Sequence, residues 1–414
     1  MKKTHLILLI LLVLGCFLNY LPHLNYSYPL HVDEWTHFTY AKHLSDSTPL
    51  YFGGESTSLE HGFHLLLAVL KSMGLDYSFQ FQFLPSLLTI LISLSLFILV
   101  RKHFSERIAL FSVLFFIFVR SSLEFLGPMF LVPLSIGLLL IPIGLFLVET
   151  NLLFFIIAAT LIIHPPSGIA LLFLVGSYFL FNLKSKIFYN ILLGIFLSLP
   201  IFFGNLAEKG LSNLQFRESI IPVIFLPRSL GLLIMVFVFF GIYLLAVRKK
   251  YFFILYTILF YVLTTLYYQF DINILIFYER NIMYLLQIFS IPFALSLDYL
   301  YKYKKVFVLL LFILLFLFIP VKIESTSLVY HIVDDSEYKE FSSYKNVEGT
   351  RAVLDPWKAI AFTPLAEKEV YSRIPPGPNP IYLDRNVEIY NFFNQSCVNK
   401  TFLETNKIDL VVGC

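Results

Sequence analysis

Apolar residues arrive along this chain in long unbroken blocks, with polar residues confined to the stretches between them. A hydrocarbon layer about 30 Å thick needs roughly 20 apolar residues of helix. On that basis the pattern predicts about eleven spans, near residues 5–21, 80–100, 106–120, 129–148, 151–163, 167–182, 187–203, 230–247, 251–268, 281–299 and 304–320. The blocks lack the alternation of a lipid-facing barrel strand, which excludes a closed barrel. The fifth and sixth are short and are parted by His164-Pro165-Pro166, predicting a broken or re-entrant pair.

Two stretches are polar enough to stand outside the membrane. The first, 22–79, contains HGFHLLLAVLKSMG (61–74), apolar but too short to span, with Lys71 near its end; it reads as a helix lying along the membrane surface. The second runs from 321 to 414. There RAVLD, KEVYS and KIDLVVG predict short strands, PWKAIAFTPLAE and NVEIYNFF predict helices, and IPPGPNP (374–380) predicts a turn-rich loop. The expected fold class is an all-α polytopic membrane protein of about 11 transmembrane helices (1–320) with a small C-terminal extracytoplasmic α/β domain (321–414).

Composition narrows the function. The 414 residues are 58% hydrophobic and 14% charged, against roughly 25% charged in soluble domains. A soluble enzyme, a disordered chain and a nucleic-acid-binding module are excluded. The net charge of +3 is small and the Lys and Arg are scattered, so no nucleic acid is expected as a partner. With the N-terminus inside, the inner segments hold 13 Lys and Arg and the outer connections 7, while acids number 3 inside and 11 outside. That bias predicts a cytoplasmic N-terminus and, with an odd number of spans, an extracytoplasmic tail. Glycosylation sequons at Asn25, Asn394 and Asn399 all fall on the outer side. No small-residue cleavage site follows the N-terminal MKK and its apolar run, so a retained first span is expected. Cys16 lies in an apolar run where a lone cysteine packs; Cys397 and Cys414 either pair or stay free thiols.

The sharpest chemical feature is HVDEW (31–35), just past the first span, with His37, Tyr40 and His43 close behind. Asp33 or Glu34 there can act as a general base on an acceptor hydroxyl or hold a divalent ion that neutralises phosphate. The plainer reading is that Asp33 caps a helix beginning at Trp35. Arg280, after Glu279 at the entrance of the tenth span, suits a lipid phosphate or, equally, an ion pair with Glu279 or Asp271. Arg120 and Glu124 pose the same choice at helix-pair spacing. His164 either marks a helix end or serves as a donor-site ligand. His61 and His64 share a helical face; a two-ligand metal site there would need further partners that the sequence does not identify, and they read as interfacial histidines. Trp357 reads as core of the tail, with contact to a glycan acceptor as the sharper alternative.

Several segments resemble the GT-C superfamily of membrane glycosyltransferases, especially its archaeal and bacterial members. They are DEWTHFTYAKHL after one Lys-flanked span, EHGFHLLLAVLKSMGLD, FLPSLLTILISLSLFILVRKHFSERIAL, FLGPMFLVPLSIGLLLIPIGLFL, LIIHPPSGIALL and FYERNIMYLLQIFSIPFALSL, in family order over some three quarters of the chain. The resemblance implies a sugar donor carried on a polyprenyl (dolichyl-type) phosphate, transfer on the outer face, and a glycan, lipid or protein acceptor. It implies Asp33 as catalytic base or metal ligand, with Glu34 as its partner. Arg280, Glu279, His31, His37, Tyr40, Arg120, Glu124 and His164 are expected to bind substrate. Mg or Mn is the candidate metal, with Asp33 and Glu124 as candidate ligands. The chain departs from the oligosaccharyltransferase branch: it has no WWDYG in the tail and no DxD in the second outer loop. Two other classes stand beside this reading, a lipid-linked oligosaccharide transporter or polymerase and a non-catalytic component of a surface-glycan assembly system. A transporter would place charges within its spans; here the span middles are almost free of charge and the acids gather at one face.

Overall fold

A computed structural model describes residues 3–51, 60–121, 126–209, 232–270, 278–374 and 380–414. The chain divides into two units: residues 1–22 with 83–328, and residues 23–82 with 329–414. The first outer loop therefore groups with the tail rather than with the apolar helices.

The first unit is helical. Its elements are α1 (Lys3–Tyr20), α4 (Tyr77–His103, which starts in the second unit), α5 (Glu106–Ile117), α6 (Pro133–Phe146), α7 (Leu153–Ile163), α8 (Pro165–Asn182), α9 (Ser185–Lys209), α10 (Leu232–Val247), α11 (Tyr251–Phe270), α12 (Tyr278–Leu300) and α13 (Lys304–Ser327). These helices stand where the apolar blocks predicted them. Among the described residues, five helical segments, Lys3–Leu24, α4, α8, Arg280–Leu300 and α13, are long and apolar enough to cross a membrane, and five further apolar helices are shorter. By that length and composition the chain is a multi-pass membrane protein.

Helix α12 is the centre of this unit. Its apolar window is 94% buried, against 17% for α13 and 28% for α1. It packs on α5, α10 and α11. Pro292 interrupts its hydrogen-bond ladder, and Gly241 of α10 lets the backbones close there: a Cβ at 241 would collide with the Pro292 carbonyl. The predicted break in the middle is present. His164 ends α7 and caps α8 in an extended conformation, and the two helices pack together, with Gly168 against the Leu161 backbone.

The two ends of this unit differ. One gathers Arg101, Lys102, Arg107, Arg248 and Lys302, with Arg107 and Arg248 both paired to Asp298. At the other end, where α1, α5 and α13 finish, Lys322 is 1% exposed. Its ammonium donates to Asn19 Oδ1 (2.9 Å) and to the Val119 carbonyl (3.1 Å), an oxygen just beyond the end of α5. Asn19 in turn donates to Thr89. A lysine near a helix end ordinarily snorkels to the interface; this one turns inward.

The second unit joins loop and tail. It holds α2 (Val32–Asp46), α3 (His61–Ser72), α14 (Asp335–Ser343), β1 (Arg351–Val353), α15 (Pro356–Ala366), β2 (Glu369–Val370), α16 (Pro380–Asn394), α17 (Lys400–Thr405) and β3 (Leu410–Val411). The strands form a parallel sheet in the order β2-β1-β3, with Arg351 opposite Glu369 and Ala352 opposite both Val370 and Leu410. Parallel neighbours need crossovers, and α15 supplies the first, β1 to β2. Val353, Tyr371, Ile389, Phe392 and Ile408 form the core behind the sheet. Cys397 and Cys414 are disulfide-bonded, with Cα atoms 6.4 Å apart.

Candidate functional site

The loop is stitched to the tail along α2. Tyr330 N donates to the Leu30 carbonyl (2.9 Å), Tyr28 OH to Asp335 (2.8 Å), and Lys42 to the Pro364 carbonyl (2.6 Å). Tyr51 OH donates to the Ile360 carbonyl and lies 2.8 Å from Thr39 Oγ1. Helix α2 is therefore held by α15 and by the segments flanking it.

Helix α2 begins at Val32, and its N-cap is His31, not Asp33. The expected cap of a helix starting at Trp35 is thereby corrected. An imidazole Nδ1 accepts the Asp33 N–H at 3.0 Å, so the carboxylate of Asp33 is not needed for capping. The other acid does that work. Glu34 is fully buried, and its Oε2 accepts from Leu30 N (2.6 Å) and His31 N (3.1 Å). This is a capping box in which histidine replaces the usual serine or threonine. Asp33, one position earlier, keeps a side chain that is 31% exposed, and its carboxylate lies 3.9 Å from His31 Nδ1. Two adjacent acids thus receive opposite environments.

His37 and Tyr40 are buried on the same helix. His37 Nδ1 lies 2.9 Å from His64 Nε2, and His64 stacks on Tyr40. His64 is thereby paired across α2 and α3 rather than working with His61. His43 Nδ1 contacts the Thr48 carbonyl. One further group escaped the sequence reading, and a second stands elsewhere than its first reading put it. Arg373 is 2% exposed and lies over the Tyr51 ring, 3.9 Å from its centroid, with Nη1 3.3 Å from Thr36 Oγ1. A guanidinium so placed sits one turn along α2 from Asp33. Trp357, read as tail core, is 39% exposed, whereas Trp35 is fully buried. Its position in the first turn of α15, ahead of the buried run Ala359–Ala366, turns it outward.

The first unit holds a separate polar cluster. His164 Nδ1 and Tyr284 OH each lie 2.6 Å from Ser167 Oγ, and all three side chains are buried. A side chain at Gly137 would run into Ser167, so this glycine keeps room for the trio. Arg280 lies one turn before Tyr284 on α12, half-buried. The neighbouring Met283 packs at Gly127, against which Ser121 also lies. Arg120 precedes Ser121, and its Nε is buried with no hydrogen-bond partner among the described residues. Glu124 and Asp271 lie outside the described residues, as does the Glu279 side chain. Among the described residues no three His, Cys, Asp or Glu side chains converge on a metal position.

No protein-family profile matches the chain, and no curated protein matches it by sequence. Solved structures do match it in fold. A crystal structure of the Archaeoglobus fulgidus oligosaccharyltransferase tethered to an acceptor peptide superposes with a TM-score of 0.64 at 12% identity, over 90% of this chain and 64% of that one. The same enzyme with Zn and sulfate gives 0.63 at 12% identity, over 89% and 62%. The archaeal oligosaccharyltransferase AglB from that organism, with an inhibitory peptide and a dolichol-phosphate, gives 0.62 at 10% identity, over 90% and 64%. The chain shares its fold with these oligosaccharyltransferase structures and spans less than two thirds of their length.

Proposed function

We propose that this protein is a membrane glycosyltransferase that moves a sugar from a polyprenyl-phosphate donor to a glycan, lipid or protein acceptor on the outer face of the membrane. The observation that carries the reading is the separation of Asp33 from Glu34. Glu34 is consumed by the start of α2, while Asp33 keeps a partly exposed carboxylate on the same rigid turn. A carboxylate held in this way takes the proton of the attacking hydroxyl as its oxygen bonds to the sugar's anomeric carbon. The bond from that carbon to the phosphate oxygen breaks, and the electron pair leaves with the phosphate. Arg280 and Arg120 are the cations assigned to the departing phosphate, and His31, His37, Tyr40 and His164 are assigned to binding the substrates.

The donor already carries the activation free energy, so no nucleotide site is required. The fold likeness to enzymes whose structures hold dolichol-phosphate and acceptor peptide supports a lipid-linked donor. Among the described residues no group of three His, Cys, Asp or Glu side chains gathers around Asp33 to hold a metal. An outward placement of the second unit is supported by its disulfide, which belongs to an oxidising compartment, and by the basic residues at one end of the helical unit.

The test is transfer of radiolabelled sugar from a polyprenyl-phosphate pool in purified membranes, comparing wild type, Asp33→Asn and Glu34→Gln at matched folded amounts. Asp33→Asn is expected to lower transfer about 100- to 10,000-fold, the range for losing a general base. Glu34→Gln is expected to retain turnover per folded molecule. Full transfer in Asp33→Asn would remove the catalytic assignment.

A further inference from the structure

Trp357 is a large aromatic side chain left at the surface of a unit that buries its other tryptophan completely. A single exposed apolar residue is ordinary; the polar groups beside this one are what matter. Asp355, the N-cap of α15, gives one carboxylate oxygen to the N–H groups of Trp357 (2.8 Å) and Lys358 (3.3 Å). No described residue hydrogen-bonds its second oxygen. On the other side Tyr330 stands 5.4 Å from the Trp357 ring and 5.6 Å from His31, the residue beside Asp33. An indole face and a spare carboxylate oxygen meet the two needs of a pyranose ring. Its C–H face packs on an aromatic surface, and its vicinal hydroxyls donate to a carboxylate.

From this arrangement we infer that Trp357 and Asp355 form a glycan-binding subsite, joined through Tyr330 and His31 to the carboxylate of Asp33. Two ring-to-ring steps separate the platform from the catalytic turn, about the reach of one or two sugar units. The subsite therefore holds a sugar of the acceptor remote from the bond being made, and the acceptor is an oligosaccharide chain rather than a bare peptide or monosaccharide. The identity of this glycan as acceptor rests on the glycosyl-transfer reading; the binding itself does not.

The protein is well suited to the test because one of its two tryptophans is fully buried and the other is exposed. The purified protein, in nanodiscs free of sugar-headed detergent, is titrated with mannotetraose, cellotetraose and N-acetylchitotetraose. Tryptophan fluorescence follows wild type, and calorimetry follows the variants. At least one tetrasaccharide is expected to give a saturable change. Trp357→Ala and Asp355→Asn should weaken its binding at least tenfold, and Trp357→Phe should retain most of it. In the transfer assay Trp357→Ala should raise the acceptor KM about tenfold with kcat within twofold. No saturable binding of any of the three, or equal binding by Trp357→Ala, would overturn the subsite. Binding that obeys this pattern in a protein with no transferase activity would remove the proposed function and leave the subsite in place.

Discussion

His31 and Glu34 hold the first turn of α2 from opposite sides. The His31 imidazole accepts the Asp33 N–H, and the Glu34 carboxylate accepts the N–H of His31. Glu34→Ala leaves the buried N–H groups of Leu30 and His31 without an acceptor, at a cost of about 2–3 kcal/mol. Thermal melting should show a clear fall for Glu34→Ala and almost none for Asp33→Asn. Equal falls would mean that the two acids share the structural role.

The Lys322 ammonium offers a second contrast. Among the described residues its acceptors are all neutral. Asn19→Leu removes one acceptor while the ion stays buried, and should cost about 3 kcal/mol. Lys322→Met removes the ion itself and should cost less, because taking a charge out of the interior offsets the lost contacts. Denaturation of both variants in one detergent gives the order, and the reverse order would count against this account.

The Cys397–Cys414 bridge closes a loop with a sequence separation of 17. Cross-linking a loop near that length contributes about 3 kcal/mol, chiefly by restricting the unfolded chain. Cys397→Ser should therefore lower the melting temperature of the second unit, as should a reductant on wild type. A reductant should have no further effect on the variant.

Acid should loosen the contact between α2 and the tail. Burial pushes the Glu367 carboxyl up, but hydrogen bonds from Lys345 (2.7 Å) and Lys42 outweigh it and hold the group below its ordinary 4.5. A carboxyl depressed on folding stabilises the protein fully above the unfolded value, and that stability is lost as pH falls below 4.5. The pair with Lys42, at 2.9 Å, is worth at most about 1 kcal/mol. Melting curves from pH 7 down to pH 3 should fall less steeply for Glu367→Gln than for wild type.

Much of this architecture was legible as hydropathy. A run such as Ile92–Val100 needs no partner to declare itself, because the cost of leaving backbone and apolar groups in the wrong medium is set locally. The tail's elements also declared themselves: RAVLD, KEVYS and KIDLVVG contain β1, β2 and β3. Their parallel order was not readable, since it depends on pairings as distant as Arg351 with Glu369 and Ala352 with Leu410. The candidate site divided in the same way. Asp33 and Glu34 stood out as a pair, but which one serves the helix depends on the capping histidine, an uncommon N-cap. Arg373 gave no local signal, because what distinguishes it is contact with Tyr51 and Thr36, far earlier in the chain. Trp357 misled because tryptophan is usually buried; the helix phase that turns it outward is set by the packing of Ala359 and Ile360.

The second unit is assembled from 23–82 and 329–414, with all of the helical unit but its first helix encoded in between. Translation at about 5–20 residues per second leaves α2 waiting roughly 15–60 s for α15, which covers it. During biogenesis the surface of α2 that later meets α15 is thus unaccompanied, and Thr36, Lys42 and Tyr51 are without their eventual partners Arg373, Pro364 and Ile360. Productive maturation is a race between arrival of the C-terminal segment and capture of that bare helix by quality control, so mutations in the tail will register as lost protein before they register as lost chemistry.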